Sequence, residues 1–512
     1  MTHKLSLDGR SLNLPDLAPV IRGETVELSV TEAARDAVRA ARNLVDQHVE
    51  SGNAVYGLTT GFGKLKNVAI ERGDLAQLQE NLIVSHCCGV GDDMPVNEVR
   101  TAQVLRLNGL VRGNSGIRVE LVDRLLEFFN RGFVPRVPQQ GSVGASGDLA
   151  PLAHMTASYM GHGGATLEGQ AMTAREALEK MGVPPVELAA KEGLALINGT
   201  EISKGVSLGV ILRAANLSRA ADIIVALSIE ALKGSRLPFQ QRLAELKGHP
   251  GHFRTASNVT ALLANSGVIE SHAGCDRVQD PYSLRCAPQV HGAYKSALAH
   301  VCEIFSTEIN GVTDNPVLFP DTGDVVSAGL FHGAPVSMVM DYLGLAMCSI
   351  ANISERRTEQ LVNPDLSGMP AFLTNRPGLN SGMMIAQVAA AALASENKVY
   401  AHPASVDTIP TSANQEDHVP MAATAARKAR TICDNTERVL AIEYLCAAQA
   451  REFNLDARGG DGAEAAHKLM RTRVEPLEED RYLADDIEAA RQLIVSGDLV
   501  RAVEEVVGPL ES

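Results

Sequence analysis

Tryptophan is absent from the 512-residue chain, and aromatic residues make up only 4% of it. A core short of large rings must be built from aliphatic side chains, and the abundant Ala and Leu favour helix packed on helix over sheet. Positive charge is also scarce: 46 Lys and Arg stand against 61 Asp and Glu, a formal net charge of −15, and no basic block occurs. A nucleic-acid or anionic-membrane partner is therefore not expected. No C-x-x-C pair occurs among the cysteines, at 87, 88, 275, 286, 302, 348, 433 and 446. They are expected to be reduced and mostly buried. No stretch reaches the ~18 apolar residues of a spanning helix, and Met1-Thr2-His3-Lys4-Leu5 lacks the charged head and apolar run of a secretory signal. The expectation is a soluble, cytoplasmic protein. No H-E-x-x-H, Walker A or complete G-x-G-x-x-G is present, and Gly161-His162-Gly163-Gly164-Ala165-Thr166 puts Thr where the third glycine belongs. Metal, nucleotide and dinucleotide sites have no anchor.

What is present reads as helix. Hydrophobic residues make up 45% of the chain, enough for a sizeable core. Residues 4 to 30 alternate apolar and polar around Asp8-Gly9, which predicts a small hairpin. Ser29 with Glu32 has the spacing of a capping box, and Val38, Ala41, Leu44, Val45 and Val49 then recur at helical period until Gly52. A second helix is expected from Leu75 to His86, and one or two more from 98 to 131. From 200 to 450 long helices follow one another, as in Pro335 to Val362 and Met383 to Tyr400. Such lengths exceed the globular norm and suit a bundle whose helices also pack between subunits. The tail, with Leu483, Ile487, Leu493 and Val500 at helical spacing, reads as a capping helix pair. The predicted division is an N-terminal region, 1–200, and a helical core with its caps, 201–512.

The chemistry centres on Gly141-Ser142-Val143-Gly144-Ala145-Ser146-Gly147-Asp148-Leu149-Ala150-Pro151-Leu152. Gly147 has no Cβ, so its amide nitrogen can approach the Ala145 carbonyl carbon as few residues could. Closing that five-membered ring with loss of two waters, one carrying the Ser146 hydroxyl, leaves an imidazolone with an exocyclic methylene. Such a group is a strong electrophile made only from protein. Composition alone would describe a flexible Gly/Ser loop. A hydrolase nucleophile elbow at Ser146 needs glycine two residues on either side, and position 148 is Asp. Asp148 is instead placed to cap the helix that follows. Helix N-termini near the methylidene would sharpen its electrophilicity.

The run from Gly141 to His154 resembles the signature of the histidine and aromatic amino acid ammonia-lyases, whose Ala-Ser-Gly cyclises autocatalytically to 4-methylidene-imidazol-5-one (MIO). The resemblance implies that Ala145, Ser146 and Gly147 form this cofactor, with no external one. Val55-Tyr56-Gly57-Leu58-Thr59-Thr60-Gly61-Phe62-Gly63 is similar to a family loop whose tyrosine, here Tyr56, is a candidate proton acceptor. Ser85-His86 falls at the pair that sorts substrates, where Ser-His indicates histidine. Asn198, in Asn198-Gly199-Thr200, matches an asparagine that contacts the cofactor ring and the substrate. Gln279-Asp280-Pro281-Tyr282-Ser283-Leu284-Arg285 matches a segment in which Arg285 forks onto the substrate carboxylate and Tyr282 and Gln279 line the same pocket. Phe331 matches an aromatic wall, although Leu330 stands where Asn is common. Glu416, in Asn414-Gln415-Glu416-Asp417-His418, stands where relatives acting on phenylalanine or tyrosine carry an amide. A carboxylate accepting an imidazole N–H would be left unpaired by a phenyl ring, which can discriminate by roughly 10⁴ or more.

The resemblance covers nearly the whole chain. It implies a mainly α, aspartase/fumarase-like long-helix bundle whose smaller N-terminal region carries the cofactor loop. It also implies a homotetramer with each active site drawn from three chains. The implied reaction takes ammonia from histidine to leave trans-urocanate, with Tyr56 or Tyr282 as base. Two alternatives stay open at this point: a tyrosine or phenylalanine lyase or 2,3-aminomutase using the same cofactor, and a non-catalytic helical scaffold whose triad never cyclises.

Overall fold

Helices dominate the computed structural model, which describes residues 2–51, 57–58, 60–61 and 70–512. The longest are Glu201–Ala231, Ala422–Arg451 and Ala334–Val362, at 31, 30 and 29 residues. Ile223, Ile224, Val225, Ala226 and Leu227 follow one another along the first of these with no exposed surface. A stretch buried on every side lies inside a bundle, so the mainly helical architecture expected from the sequence is the one observed. Strands are short and form small patches of two or three.

The chain divides into two compact units. The first comprises Met1–Gly209, Cys302–Asp341 and Pro403–Arg427, and the second Val210–Val301, Tyr342–His402 and Lys428–Ser512. In the second, buried Arg357 sets Nε and a terminal nitrogen against the two Glu443 oxygens at 2.5 and 2.8 Å. Glu443 also accepts from the Ser228 hydroxyl at 2.7 Å. A forked ion pair of this kind fixes the rotation of one long helix against another. The helix Ala334–Val362 is long and apolar enough to cross a membrane by length and composition, where the sequence reading expected no such stretch. Of its most apolar 18-residue window, 56% is buried inside the protein, as in the core helix of a bundle.

Several local expectations change. The hairpin predicted around Asp8-Gly9 is instead two parallel strands, His3–Leu7 and Val26–Val30, with His3 opposite Val26. Asn13 and Asp16 cap each other reciprocally and start a helix, Leu14–Ile21, between them, so the chain returns in the same direction. Ser29 lies in the second strand, and the cap of the helix Glu32–Ser51 falls to Thr31, whose hydroxyl accepts from the Ala34 amide at 3.3 Å. The helix Leu75–His86 has the predicted limits. All eight cysteines are free, but only Cys348, Cys433 and Cys446 are buried, and Cys88 and Cys275 are exposed.

Candidate active site

The loop before the helix Leu149–Tyr159 is held by three segments remote in sequence, all within the first unit. Gly147 has φ +74°, and a Cβ there would lie 2.0 Å from the Gly199 carbonyl oxygen. Only glycine fits both the left-handed backbone and that approach. The Asp148 amide donates to the same oxygen at 2.6 Å. The Gly333 amide donates to the Gly144 carbonyl at 3.1 Å, and the Met421 amide to the Val143 carbonyl at 2.8 Å. Gly333 and Met421 immediately precede the helices Ala334–Val362 and Ala422–Arg451, and Gly199 lies two residues before Glu201–Ala231. Four helix N-termini thus gather at one loop, each contributing partial positive charge.

Asp148 does not cap its own helix. Its carboxylate accepts from the Ser203 amide and hydroxyl, both at 2.7 Å, and from the Ser142 hydroxyl at 3.0 Å. It therefore caps the first turn of Glu201–Ala231 and ties that helix to the loop. Burial pushes its carboxyl up to about 6, against the bonds from Ser203 and Ser142. Beneath the Gly199 turn, Arg106 pairs with Glu201 at 2.9 Å, and the Thr313 hydroxyl donates to the other Glu201 oxygen at 2.7 Å. Burial alone would raise the Glu201 carboxyl, but Arg106 and Lys204 hold it down at about 2.

A cavity of about 830 Å³ opens beside the loop. Six residues singled out in the sequence line it: His86, Ala145, Ser146, Asn198, Phe331 and Glu416. Ser146 donates its hydroxyl to one Glu416 oxygen. The other accepts from the Thr411 hydroxyl at 2.6 Å. His86 sits at the end of Leu75–His86, its ring nitrogen 3.2 Å from the Ser85 hydroxyl. Burial lowers the His86 pKa, opposed by the Leu82 carbonyl and the Glu416 charge. An imidazole so placed is neutral near pH 7. Asn198 donates to the Asn315 carbonyl at 3.0 Å, while its own side-chain oxygen is buried with no hydrogen-bond partner among the described residues. Neutral and charged acceptors thus share one chamber with the Ser146 hydroxyl.

Other candidates lie elsewhere. Tyr56 falls outside the described residues. Ser85 is exposed and does not line the chamber. Gln279, Tyr282 and Arg285 belong to the second unit, where Gln279 is exposed and the Tyr282 side chain is 69% exposed. The Arg285 guanidinium lies 4.4 Å from the Tyr282 ring centroid, and its Nε is buried without a hydrogen-bond partner among the described residues. Three wall residues escape a reading by motif. The His332 and His418 rings stack at 5.7 Å and 9° in the cavity wall, and Asn315 orients Asn198. Each pairing joins residues far apart in the chain, so no local spacing announces it.

The family model described as aromatic amino acid lyase matches residues 12–472. The chain is 50% identical over 501 residues to histidine ammonia-lyase of Myxococcus xanthus, covering 98% of each chain. It is 49% identical to histidine ammonia-lyase of Gloeobacter violaceus, over 100% of this chain and 99% of the relative. Among solved structures, histidine ammonia-lyase from Trypanosoma cruzi is similar at TM-score 0.92 and 40% identity, over 99% of this chain and 96% of the other. Tyrosine aminomutase from Streptomyces globisporus is similar at TM-score 0.93 and 34% identity, over 98% and 99%.

Proposed function

The chain belongs to the aromatic amino acid lyase family, and on that premise we propose that it is a histidine ammonia-lyase, converting L-histidine to trans-urocanate and ammonia. The observation that carries the substrate is the Glu416 carboxylate in one chamber with His86 and Ser146. Glu416 would accept one imidazole N–H, and neutral His86 would take up the other ring nitrogen.

The residues at the triad fit a methylidene-imidazolone. Gly147 is left-handed and pressed against Gly199, the loop is fixed at both faces, and Asn198 keeps a buried oxygen unpartnered. When formed, that group supplies an electrophile for the substrate's amino nitrogen, making it a leaving group. The four helix N-termini would stabilise negative charge developing there. Arg285 would hold the substrate carboxylate through the planar fork of its guanidinium. Tyr56 or Tyr282 would take the β-proton, and a free tyrosine titrates near ~10, so either needs positive potential close by. The Arg285 guanidinium lies over the face of the Tyr282 ring, which places these two residues side by side.

We read the protein as a homotetramer whose active sites each draw on three chains. Tyr342, Leu345, Ile385 and Val388 support this, being apolar side chains left 45 to 64% exposed on the second unit. We also read the 1–200 region as carrying the cofactor loop and 201–512 as the helical core and its caps. We place the enzyme in the cytoplasm, where free amino acids occur and eight free thiols stay reduced.

The test mixes purified protein with L-histidine and follows urocanate absorbance, with L-tyrosine and L-phenylalanine in parallel. Signal with histidine alone supports the proposal. Signal with tyrosine or phenylalanine instead would overturn the substrate while keeping the cofactor, and a β-amino acid product would identify an aminomutase.

A further inference from the structure

Glu416 does not hang free in its chamber. We propose that Thr411 is a positioning residue that sets selectivity for an imidazole by holding one oxygen of Glu416 and turning the other toward the substrate. This rests on the reading of Glu416 as the acceptor of the imidazole N–H.

Three links close the loop between these two residues. The Thr411 amide donates to the Glu416 carbonyl at 2.9 Å, and the Glu416 amide to the Thr411 carbonyl at 3.3 Å. The Thr411 hydroxyl then donates to Glu416 Oε2 at 2.6 Å. Between them Ser412, Ala413 and Asn414 have φ of +51°, +54° and +63°. Successive left-handed residues with side chains are disfavoured for L-amino acids, so this turn is not a product of local preference. It persists because its ends are tied together, and the side-chain bond is the only one of the three ties that reaches the carboxylate.

A hydroxyl has one proton to give. Spent on Oε2, it leaves Oε1, which here accepts from the Ser146 hydroxyl. That hydroxyl is the one the triad loses on maturation, after which Oε1 is the oxygen without a donor among the described residues. An imidazole N–H entering the chamber meets an oriented, unsatisfied acceptor, whereas a phenyl ring leaves it unsatisfied. Without the hydroxyl, the terminal torsion of Glu416 is free over a broad range, and neither oxygen is reserved for the substrate.

The test uses the full-length enzyme with Thr411→Val, which keeps the shape and loses the donor, and Thr411→Ser, which keeps the donor. Inhibition constants are measured for trans-urocanate and for trans-cinnamate, which lacks the imidazole, together with kcat and KM for L-histidine. Thr411→Val is expected to weaken urocanate about tenfold, the size of one hydrogen bond to a charged group, with cinnamate unchanged. Thr411→Ser is expected to restore urocanate to within about threefold of the parent. Equal weakening of both inhibitors, or no weakening in Thr411→Val, would overturn the proposal. If Thr411→Val does not fold, Thr411→Ala compared with Thr411→Ser decides the same point. A parent enzyme with no preference for urocanate over cinnamate would overturn the histidine reading itself, and this proposal with it.

Discussion

Replacing Glu416 with glutamine changes one atom and no volume, and the structure says what that atom does. The carboxylate accepts at both oxygens, from Thr411 at 2.6 Å and from Ser146. A primary amide offers one acceptor and one donor. With its oxygen on Thr411, it points an NH₂ at the chamber, where an imidazole N–H would meet a second donor. With its oxygen toward the chamber, its NH₂ donates to the Thr411 hydroxyl oxygen, and the acceptor left for the substrate is uncharged. Either way the substrate loses a hydrogen bond to a charged group, about 1.5–3 kcal/mol. That corresponds to a fall in kcat/KM for L-histidine of roughly 10- to 150-fold. The assay is the initial rate of urocanate formation across substrate concentration, with thermal melting run beside it to show an intact fold. Less than about a threefold change in kcat/KM, with an unaltered melt, would refute the assignment of Glu416 to the imidazole.

Three further outcomes follow from the loop and its supports. Ser146→Ala removes the hydroxyl that leaves, so its intact mass is expected to lack the shortfall of two waters expected of the parent; a shortfall persisting in the variant would dismiss the triad as the cofactor source. Gly199→Ala would set a Cβ 2.2 Å from both Arg106 and Glu201. Parting that buried pair is expected to destabilise the protein by about 3 kcal/mol or more, read by chemical denaturation, and a variant as stable as the parent would show that the turn can yield. Burial pushes the Asp148 carboxyl up to about 6 from its ordinary 3.8, so the native state binds its proton more tightly. Its contribution is present below about pH 4 and is lost as pH rises to about 6, on the order of 3 kcal/mol. Asp148→Asn is expected to flatten the stability profile across that window, and an unchanged slope would assign it to other groups.

Much of the fold and part of the site are legible in the sequence, and the division has a physical basis. The limits of Leu75–His86 and the long helices follow from apolar period and propensity, which are local properties. Ala145 and Ser146 of the triad, His86, Asn198 and Glu416 announce themselves by motif, and the fold brings them to one chamber. What local reading misses is the identity of partners. Asp148 has the position of a cap for Leu149–Tyr159, yet it bonds Ser203, which is 55 residues away. The strand pair at the N-terminus is parallel because Asn13 starts a helix inside what alternation presents as a hairpin. Thr411 lies five residues from Glu416, but its side chain reaches the carboxylate only through a left-handed turn that no propensity foretells.

The clamp on the Ala145-Ser146-Gly147 loop also orders events in time. Its ties come from Gly199, Gly333 and Met421. A ribosome that has just released Val143 must add the chain as far as Met421 before the last tie can form. At ordinary rates of synthesis that interval is on the order of 15 to 60 s. Until then the nascent loop has at most the Gly199 and Gly333 ties, so a chain stalled before Met421 would hold Val143 without its partner and leave one face of the loop unclamped.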